Sequence, residues 1–273
     1  MLDSGEERIV EARLLESSCG LAQQHGSSSV PREEAAITNP LLAKLEAVAA
    51  LSADDRHAIE TICAGTRTIG GHKDIVREGE KPEHIHIMLD GWAARYKALP
   101  DGGRQITGFL LPGDICDMGA AVLKQADHSV LALTQVTIAS VTRTALIEAT
   151  RERSRLAQAF WWASLVDEAV LRTWIVNLGR RDAHARIAHL LCELHARIKR
   201  VGQIQDGEFS LPLTQEQLAD ALGLTSVHVN RTLQRLRAEG LVALRNRTLT
   251  ILDADRLGEA ASFDPSYLHA SAA

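Results

Sequence analysis

Hydrophobic residues follow a helical spacing near the beginning of the chain and a strand spacing further on. Between residues 39 and 63 apolar side chains recur every three to four positions, and Asn39 with Pro40 forms a typical helix start. Between residues 66 and 141 apolar and polar residues alternate in short runs that end at glycine turns. Closely spaced short strands of this kind predict a sheet rolled on itself, that is, a β-roll or jelly roll.

A long helical pattern follows the predicted roll. Residues 150–178 contain no glycine and predict one helix of about eight turns, and a further helix is predicted over residues 183–200. Apolar residues occupy more than one face of the long helix, so we expect one face to pack on the roll and another on a second copy of the chain. The predicted dimer interface consists of Leu156, Phe160, Ala163, Val170 and Trp174.

The segment from Leu211 to Leu252 has the pattern of two short helices followed by a hairpin. Thr214 is placed to cap the first helix, Gly223 to form the turn, and Thr225 to cap the second helix. After the second helix, the predicted hairpin has the basic tip Arg245-Asn246-Arg247. This order predicts a winged helix-turn-helix.

The second helix of this motif leaves polar and cationic side chains at its N-terminal end, where a recognition helix meets base edges. The exposed face of this helix carries Ser226, Val227, Asn230, Arg231 and Gln234, and we expect it to meet the base edges of double-stranded DNA. Contacts to the DNA backbone are predicted for Thr214, Thr225, His228, Gln234, Arg245 and Arg247.

The net charge of −5 does not exclude DNA binding, because the charge is unevenly distributed. Residues 179–252 contain eleven Lys and Arg against seven Asp and Glu, a balance of +4 that leaves −9 for the rest of the chain. No run of residues approaches the roughly 18 apolar positions of a membrane-spanning helix. The N-terminus is acidic where a signal peptide would be basic. We therefore expect a cytoplasmic protein with no membrane partner.

The segment LTQEQLADALGLTSVHVNRTLQRLRAEGL resembles the helix-turn-helix of the Crp/Fnr family, which includes the cyclic-AMP receptor protein and its oxygen-sensing relatives. The likeness extends from Asn39 to Leu252, since roll, long helix and DNA-binding domain follow in the family's order. It implies a non-enzymatic, sequence-specific transcription regulator that binds a pseudo-palindromic operator as a homodimer and contacts RNA polymerase. The resemblance implies that Ser226, Val227, Asn230 and Arg231 occupy the base-reading positions, and Arg231 matches an arginine that many members use to bind guanine. Val227 departs from the pattern, because many members carry a glutamate there that accepts from a cytosine amine.

The expected fold class is thus α+β, with an N-terminal β-roll like a cyclic-nucleotide-binding jelly roll, a long dimerisation helix and a C-terminal winged helix-turn-helix. The predicted boundaries are 1–38 for a flexible N-terminal extension, 39–148 for the β-roll sensor domain, 149–179 for the dimerisation helix, 180–258 for the DNA-binding domain and 259–273 for a C-terminal tail.

The predicted sensor domain departs from the cyclic-AMP pattern of the family. Members that bind cyclic AMP carry Gly-Glu and, about ten residues later, Arg-Ser or Arg-Thr, whose amides and guanidinium neutralise a phosphate. Here an aspartate, Asp117, lies in the first segment and His128-Ser129 in the second. We therefore expect no cyclic-nucleotide binding. The candidate pocket for an unknown small-molecule or redox effector comprises Cys116, Asp117, His128 and Ser129.

The four cysteines are scattered and form no CxxC pair. Only Cys19 precedes the roll, with Cys63 far behind it, so the iron-sulfur cluster of the oxygen-sensing branch is not expected and no cofactor is predicted. Cys116 could act as a thiol sensor, but we expect it and Cys192 to be inert packing residues.

Two alternatives remain open from the sequence: a cyclic-nucleotide-responsive regulator, and a cupin-like metal-binding sensor or enzyme fused to a DNA-binding domain. His84 and His86, with Asp90, resemble the HxH motif of cupins. Apolar residues occupy the alternate strand positions, so both histidines are expected to point outward. The alternate positions are Ile85, Ile87 and Leu89. A second set, His189, Cys192 and His195, is expected to pack on a helix flank, and no metal site is predicted.

Overall fold

The structure is a computed structural model that describes residues 39–81, 83–204 and 207–269. The predicted N-terminal extension, with Cys19, lies outside the described residues. Helix α1 (Pro40–Glu46) begins where Asn39 accepts hydrogen bonds from two backbone amides. Helix α2 (Ala53–Cys63) begins at Ser52 with a reciprocal capping box. Both helices were predicted from the spacing of apolar residues.

Seven antiparallel strands form the predicted β-roll. Two sheets, in the orders β1-β7-β3 and β2-β6-β4-β5, enclose a core that includes Met88, Leu110 and Ile138. At Gly91, which follows β3, a Cβ atom would lie 2.3 Å from the Gln135 carbonyl oxygen, so this turn requires glycine. The strands are β1 (Thr66–Ile69), β2 (Asp74–Val76), β3 (His84–Asp90), β4 (Ala93–Ala98), β5 (Arg104–Leu110), β6 (Ser129–Ala132) and β7 (Val136–Thr142).

The long helix is interrupted near its predicted beginning. Helix α3 (Arg143–Arg151) ends first, and helix α4 (Ser154–Arg180) begins after Arg153, whose backbone is extended. Because of this break, Leu146 of α3 and Leu156 of α4 both reach the core beneath α1 and α2. Helix α5 (Ala183–Arg200) begins at Asp182, as predicted.

The predicted dimer stripe on α4 was wrong. All five of its side chains are buried within a single protomer, so they are not available to a second copy. Leu156, Phe160 and Ala163 pack into the core under α1 and α2, while the Trp174 ring lies edge-on to Phe109 of the roll, with centroids 5.7 Å apart. The helix directs its most continuous apolar stripe to the nearest apolar surface, which is its own roll.

The C-terminal domain has the predicted order with one additional strand. Helices α6 (Gln215–Leu222) and α7 (Ser226–Ala238) precede the hairpin β9 (Val242–Arg245) and β10 (Thr248–Ile251). Strand β8 (Glu208–Ser210) pairs with β10 and completes a three-stranded sheet.

The predicted boundary of a C-terminal tail at residue 259 was also wrong. Residues up to His269 are folded: helix α8 (Ala254–Ala261) runs across that boundary, and a 3-10 helix (Pro265–Leu268) follows. Leu257, Ala261 and Leu268 are buried in the core of the DNA-binding domain. The apolar side of this short helix is therefore part of the domain, which continues beyond residue 258.

Candidate DNA-binding surface and sensor cavity

Side-chain caps fix both helices of the helix-turn-helix. The Thr214 hydroxyl accepts a hydrogen bond from the Gln217 backbone amide at 3.1 Å, and the Gln217 side-chain carbonyl accepts one from the Thr214 backbone amide at 2.9 Å. Gly223 ends α6 in the left-handed conformation, and the Thr225 hydroxyl accepts from the His228 amide. These caps use the acceptor side of both threonine hydroxyls, so each O–H can still donate to a phosphate.

One face of α7 is buried and the opposite face is exposed. Val229, Leu233 and Leu236 are buried, as the sequence predicted. The seven predicted DNA contacts on the second helix and its cap are all exposed: Thr225, Ser226, Val227, His228, Asn230, Arg231 and Gln234. Among the described residues Arg231 has no ion-pair partner, whereas Arg235 pairs with Glu239. Arg231 therefore presents a free guanidinium.

The wing is a tight two-residue hairpin. Asn246 and Arg247 both have positive φ angles, 49° and 62°, as the favoured two-residue hairpin turn requires. Arg245 and Arg247 are exposed on either side of Asn246. The Arg247 carbonyl accepts from the Leu211 amide at 2.7 Å, which fixes the wing to the segment before α6.

Polar contacts dock the helix-turn-helix on the roll. Arg104 of β5 donates to the Asp220 carboxylate of α6 at 2.6 Å, and Gln105 donates to the Ala221 carbonyl at 3.2 Å. Arg186 of α5 donates to the carbonyls of Leu222 and Leu178. The first helix of the motif is thus joined both to the roll and to the α4–α5 junction.

A buried ionic cluster joins α1, the roll and α5. The Asp114 carboxylate accepts hydrogen bonds from Lys44 of α1 and from Arg197 of α5, each at 2.7 Å. It also accepts one from the Leu111 backbone amide. Burial alone would raise the pKa of Asp114, but the two cations lower it well below the ordinary range. Arg197 also donates to Glu193. Sequence reasoning did not find this cluster.

Glu193 extends this cluster to the C-terminal segment. Its carboxylate accepts from the Trp174 indole and from the Tyr267 hydroxyl, each at 3.0 Å. Complete burial raises the pKa of Glu193. Since Trp174 belongs to α4 and Tyr267 to the last 3-10 helix, the C-terminal segment braces the junction of α4 and α5.

The predicted effector residues surround a cavity of about 730 Å³ between the roll and α4. Cys116, Asp117 and His128 line it, whereas Ser129 does not. The Ser129 side chain is buried instead and accepts from the Glu78 amide at 3.0 Å, because its strand position points it toward β2. The prediction that Ser129 lines this pocket was therefore wrong.

Cations at this cavity are already paired within the protein. Arg95 donates to Asp167 at 2.8 Å and to the carbonyls of Ile115 and Cys116. Lys97 pairs with Glu78, and Arg197 with Asp114. Four carboxylates also line the cavity: Asp117, Asp127, Asp167 and Glu168. The lining offers little net attraction to an anion.

Cys116 is fully buried, and burial raises the pKa of its thiol to about 12. Burial likewise raises the pKa of Cys192 to about 12. Both thiols are therefore protonated at neutral pH, which is unfavourable for a redox sensor because the thiolate is the reactive form. This environment favours the expectation that both are packing residues.

The expectation that both roll histidines point outward was half wrong. His84 is exposed, but His86 is buried, with Nδ1 3.2 Å from the Ser140 hydroxyl. Burial lowers the pKa of His86 to about 4. Strand β3 is covered on both faces, so the alternation of Ile85 and Ile87 did not mark a solvent side. Within the described ranges no group of three His, Cys, Asp or Glu is placed to hold a metal ion.

The histidines of α5 pack as expected. His189 is buried, its Nδ1 accepts a hydrogen bond from the Asn177 side-chain amide at 3.0 Å, and its ring stacks on Tyr267. His195 lies against Phe209, with ring centroids 6.0 Å apart. Each ring contacts a different neighbour, so the two do not converge with Cys192.

The fold and the exposed helix-turn-helix define a class: a winged-helix DNA-binding protein with a roll of the cyclic-nucleotide-binding type. A family model for a Crp-like helix-turn-helix domain matches residues 185–260, and one for a cyclic nucleotide-binding domain matches residues 67–153. The chain belongs to the Crp/Fnr family of transcription regulators, as its sequence predicted. It is a DNA-binding transcription regulator of this type.

Several named relatives and one solved structure show the likeness. The nitrogen fixation regulation protein FixK of Bradyrhizobium diazoefficiens is 31% identical over 63% of this chain and 72% of its own length. The transcriptional activator protein FnrL of Cereibacter sphaeroides is 29% identical over 72% of this chain and 81% of its own length. The structure of FixK2 from Bradyrhizobium japonicum superposes with a TM-score of 0.66 at 26% identity, covering 73% of this chain and 98% of that one. These relatives are regulators and not enzymes.

None of the helices in the described parts of the chain combines the length and apolar composition needed to cross a bilayer.

Proposed function

We propose that this regulator acts as a homodimer, placing two α7 helices about 34 Å apart in successive major grooves of a pseudo-palindromic operator. The observation that carries the proposal is the exposed face of α7, where Arg231 has no ion-pair partner among the described residues. Ser226, Val227, Asn230 and Arg231 would read bases. The backbone contacts would come from Thr214, Thr225, His228, Gln234, Arg245 and Arg247.

A second copy of the chain is the proposed partner of the face of α4 that remains exposed. Trp161 and Ile175 are 67% and 63% accessible. They are two heptads apart, with Glu168 at the midpoint, which is the spacing of a coiled-coil seam. A two-fold related α4 would cover this surface with an identical one. The exposed large apolar residues of α4 are Trp161, Leu165, Leu171, Ile175 and Val176.

The proposed site of action is the cytoplasm, where the DNA of a bacterium lies, and the proposed second macromolecular partner is RNA polymerase. Both follow from the family, whose named members here include transcriptional activators. Binding near a promoter would change the recruitment of the polymerase through contacts made by the DNA-bound dimer.

Arg231→Ala is expected to lower discrimination between operator and random duplex by about 1–3 kcal/mol, because the variant loses a bidentate contact to a guanine edge. Arg247→Ala is expected to weaken binding to both duplexes equally, because a wing-to-phosphate contact carries no sequence information. Affinities are measured by fluorescence anisotropy on an operator selected from a random pool of duplexes, and on a random duplex, at fixed salt.

Arg256→Ala is a suitable matched control, because Arg256 is exposed on α8, away from α7 and the wing. Equal losses on both duplexes for Arg231→Ala and Arg247→Ala would contradict the assigned roles. If the random pool yields no enriched sequence even in dilute salt, the proposed function itself fails.

The sensor cavity supports a second, ligand-responsive candidate function, since its volume of about 730 Å³ can hold a small molecule. We expect calorimetry with cyclic AMP and cyclic GMP to show no micromolar binding, because a phosphate placed among these carboxylates would lack a neutralising partner. Arg95 and Lys97 are occupied by protein carboxylates and therefore cannot pair with the phosphate without losing those bonds. Micromolar binding of either nucleotide would establish the cyclic-nucleotide alternative.

A further inference from the structure

Val227 is an apolar residue on the exposed face of α7. Its side chain is 74% accessible, although it lies in the first turn of the helix that Thr225 caps. Large apolar residues elsewhere in this helix are buried, so the exposure of Val227 is exceptional for its surroundings.

Helix stability does not account for a valine at this position. β-Branched residues have a lower helix propensity than unbranched ones. The first turn of a helix favours an acidic residue, which interacts well with the helix dipole, yet the first turn of α7 contains none. Val227 therefore contributes to a surface and not to the stability of the helix.

The neighbours of Val227 define that surface. Asn230, Arg231 and Gln234 follow it by three, four and seven positions and so lie on the same side of the helix. The buried stripe of Val229 and Leu236 occupies the opposite side. Val227 is thus the apolar centre of an otherwise polar face.

We propose that Val227 recognises the 5-methyl group of a thymine in each operator half-site, about two base pairs from the guanine bound by Arg231. The inference rests on the proposed function, because it requires α7 to enter the major groove. Side chains four positions apart on a helix are about 6 Å apart, roughly the length of two base-pair steps. Thymine alone presents a methyl group in that groove. A valine over cytosine would instead bury the amine without an acceptor.

The test uses the full chain and an operator selected from a random pool of duplexes. Each thymine of the operator is replaced in turn by deoxyuridine, which removes only the methyl group. We expect one position per half-site to weaken binding of the unaltered protein about fourfold, the effect of losing one buried methyl group. Val227→Ala should bind the thymine and deoxyuridine duplexes with less than about twofold difference.

Two further variants sharpen the result. His228→Ala, which removes a proposed backbone contact in the same turn, should weaken binding to the thymine and deoxyuridine duplexes equally and so keep the full methyl dependence. Val227→Glu should change the preference at that position from thymine to cytosine, because the carboxylate can accept a hydrogen bond from the cytosine amine. If no thymine shows methyl dependence, or if Val227→Ala shows the same dependence as the unaltered protein, this inference is overturned while the proposed function stands. If no operator can be selected at all, the proposed function fails first.

Discussion

Asp114→Asn is expected to lower the free energy of unfolding by about 3–5 kcal/mol, because it leaves two cations of a buried ionic cluster without their shared carboxylate. The carboxylate pairs with both Lys44 and Arg197 at 2.7 Å; Lys44 and Asp114 are buried, and the Arg197 side chain is only 14% accessible. An amide of the same shape cannot neutralise two buried cations. The measurement is urea denaturation at pH 7, followed by circular dichroism.

Glu46→Gln is the matched control for this substitution. Glu46 pairs with Arg56 at the surface, with the two side chains 33% and 54% accessible, so its loss should cost less than about 1 kcal/mol. A cost below 1 kcal/mol for Asp114→Asn as well would show that the cluster is solvated in solution, contrary to the structure.

Acid should weaken the same cluster. The folded-state pKa of Asp114 is lowered relative to its ordinary value of 3.8, so the folded protein resists protonation and the unfolded chain does not. The stabilisation is therefore complete above about pH 5 and is lost as the pH falls toward the folded pKa. Glu193 has a raised pKa, so its contribution changes in the opposite direction. The stability lost through Asp114→Asn should therefore be smaller below about pH 4 than at pH 7.

The DNA-binding motif could be predicted because its signals are local. Thr214, Gly223 and Thr225 each act within three or four residues of their own position, as caps or as a turn. The buried side of α7 follows from a period that is visible within one helix. The hairpin turn at Asn246-Arg247, where both residues adopt positive φ, is likewise determined by residues next to one another in the sequence.

The errors arose where the outcome depended on distant neighbours. Periodicity showed that α4 has two apolar faces, but it could not show which face the roll would cover. The burial of His86 depends on the second sheet, which packs over β3. The fold of residues 259–268 depends on their docking against α5.

Ionic contacts between residues far apart in the sequence were missed for the same reason. Lys44 and Asp114 are separated by 70 residues, and Arg104 and Asp220 by 116. A charged residue in a loop or on a strand edge gives no local sign of which opposite charge it will meet. Such pairs become visible only once the fold brings the elements together.

If the proposed dimer forms through α4, combining Trp161→Glu with Ile175→Glu is expected to produce folded monomers and to weaken operator binding about 100- to 10,000-fold. Both side chains lie on the exposed face of α4, and in a parallel two-fold pair each new carboxylate would face its own copy. Burying like charges opposes association, and a monomer loses the gain from binding two half-sites at once. Glutamate is a good helix former, so α4 itself should remain folded.

Sedimentation equilibrium measures the mass, and anisotropy on the selected operator measures the affinity. Leu99→Glu is the control, since Leu99 is an exposed apolar residue of the roll that lies outside α4, and this variant should remain dimeric. Phe160→Ala distinguishes the two faces of the helix: because Phe160 is buried within the protomer, its truncation should cost about 3–5 kcal/mol in protomer stability. A double glutamate variant that stays dimeric would show that another surface forms the dimer, and the two recognition helices would then need a different two-fold axis to reach successive major grooves.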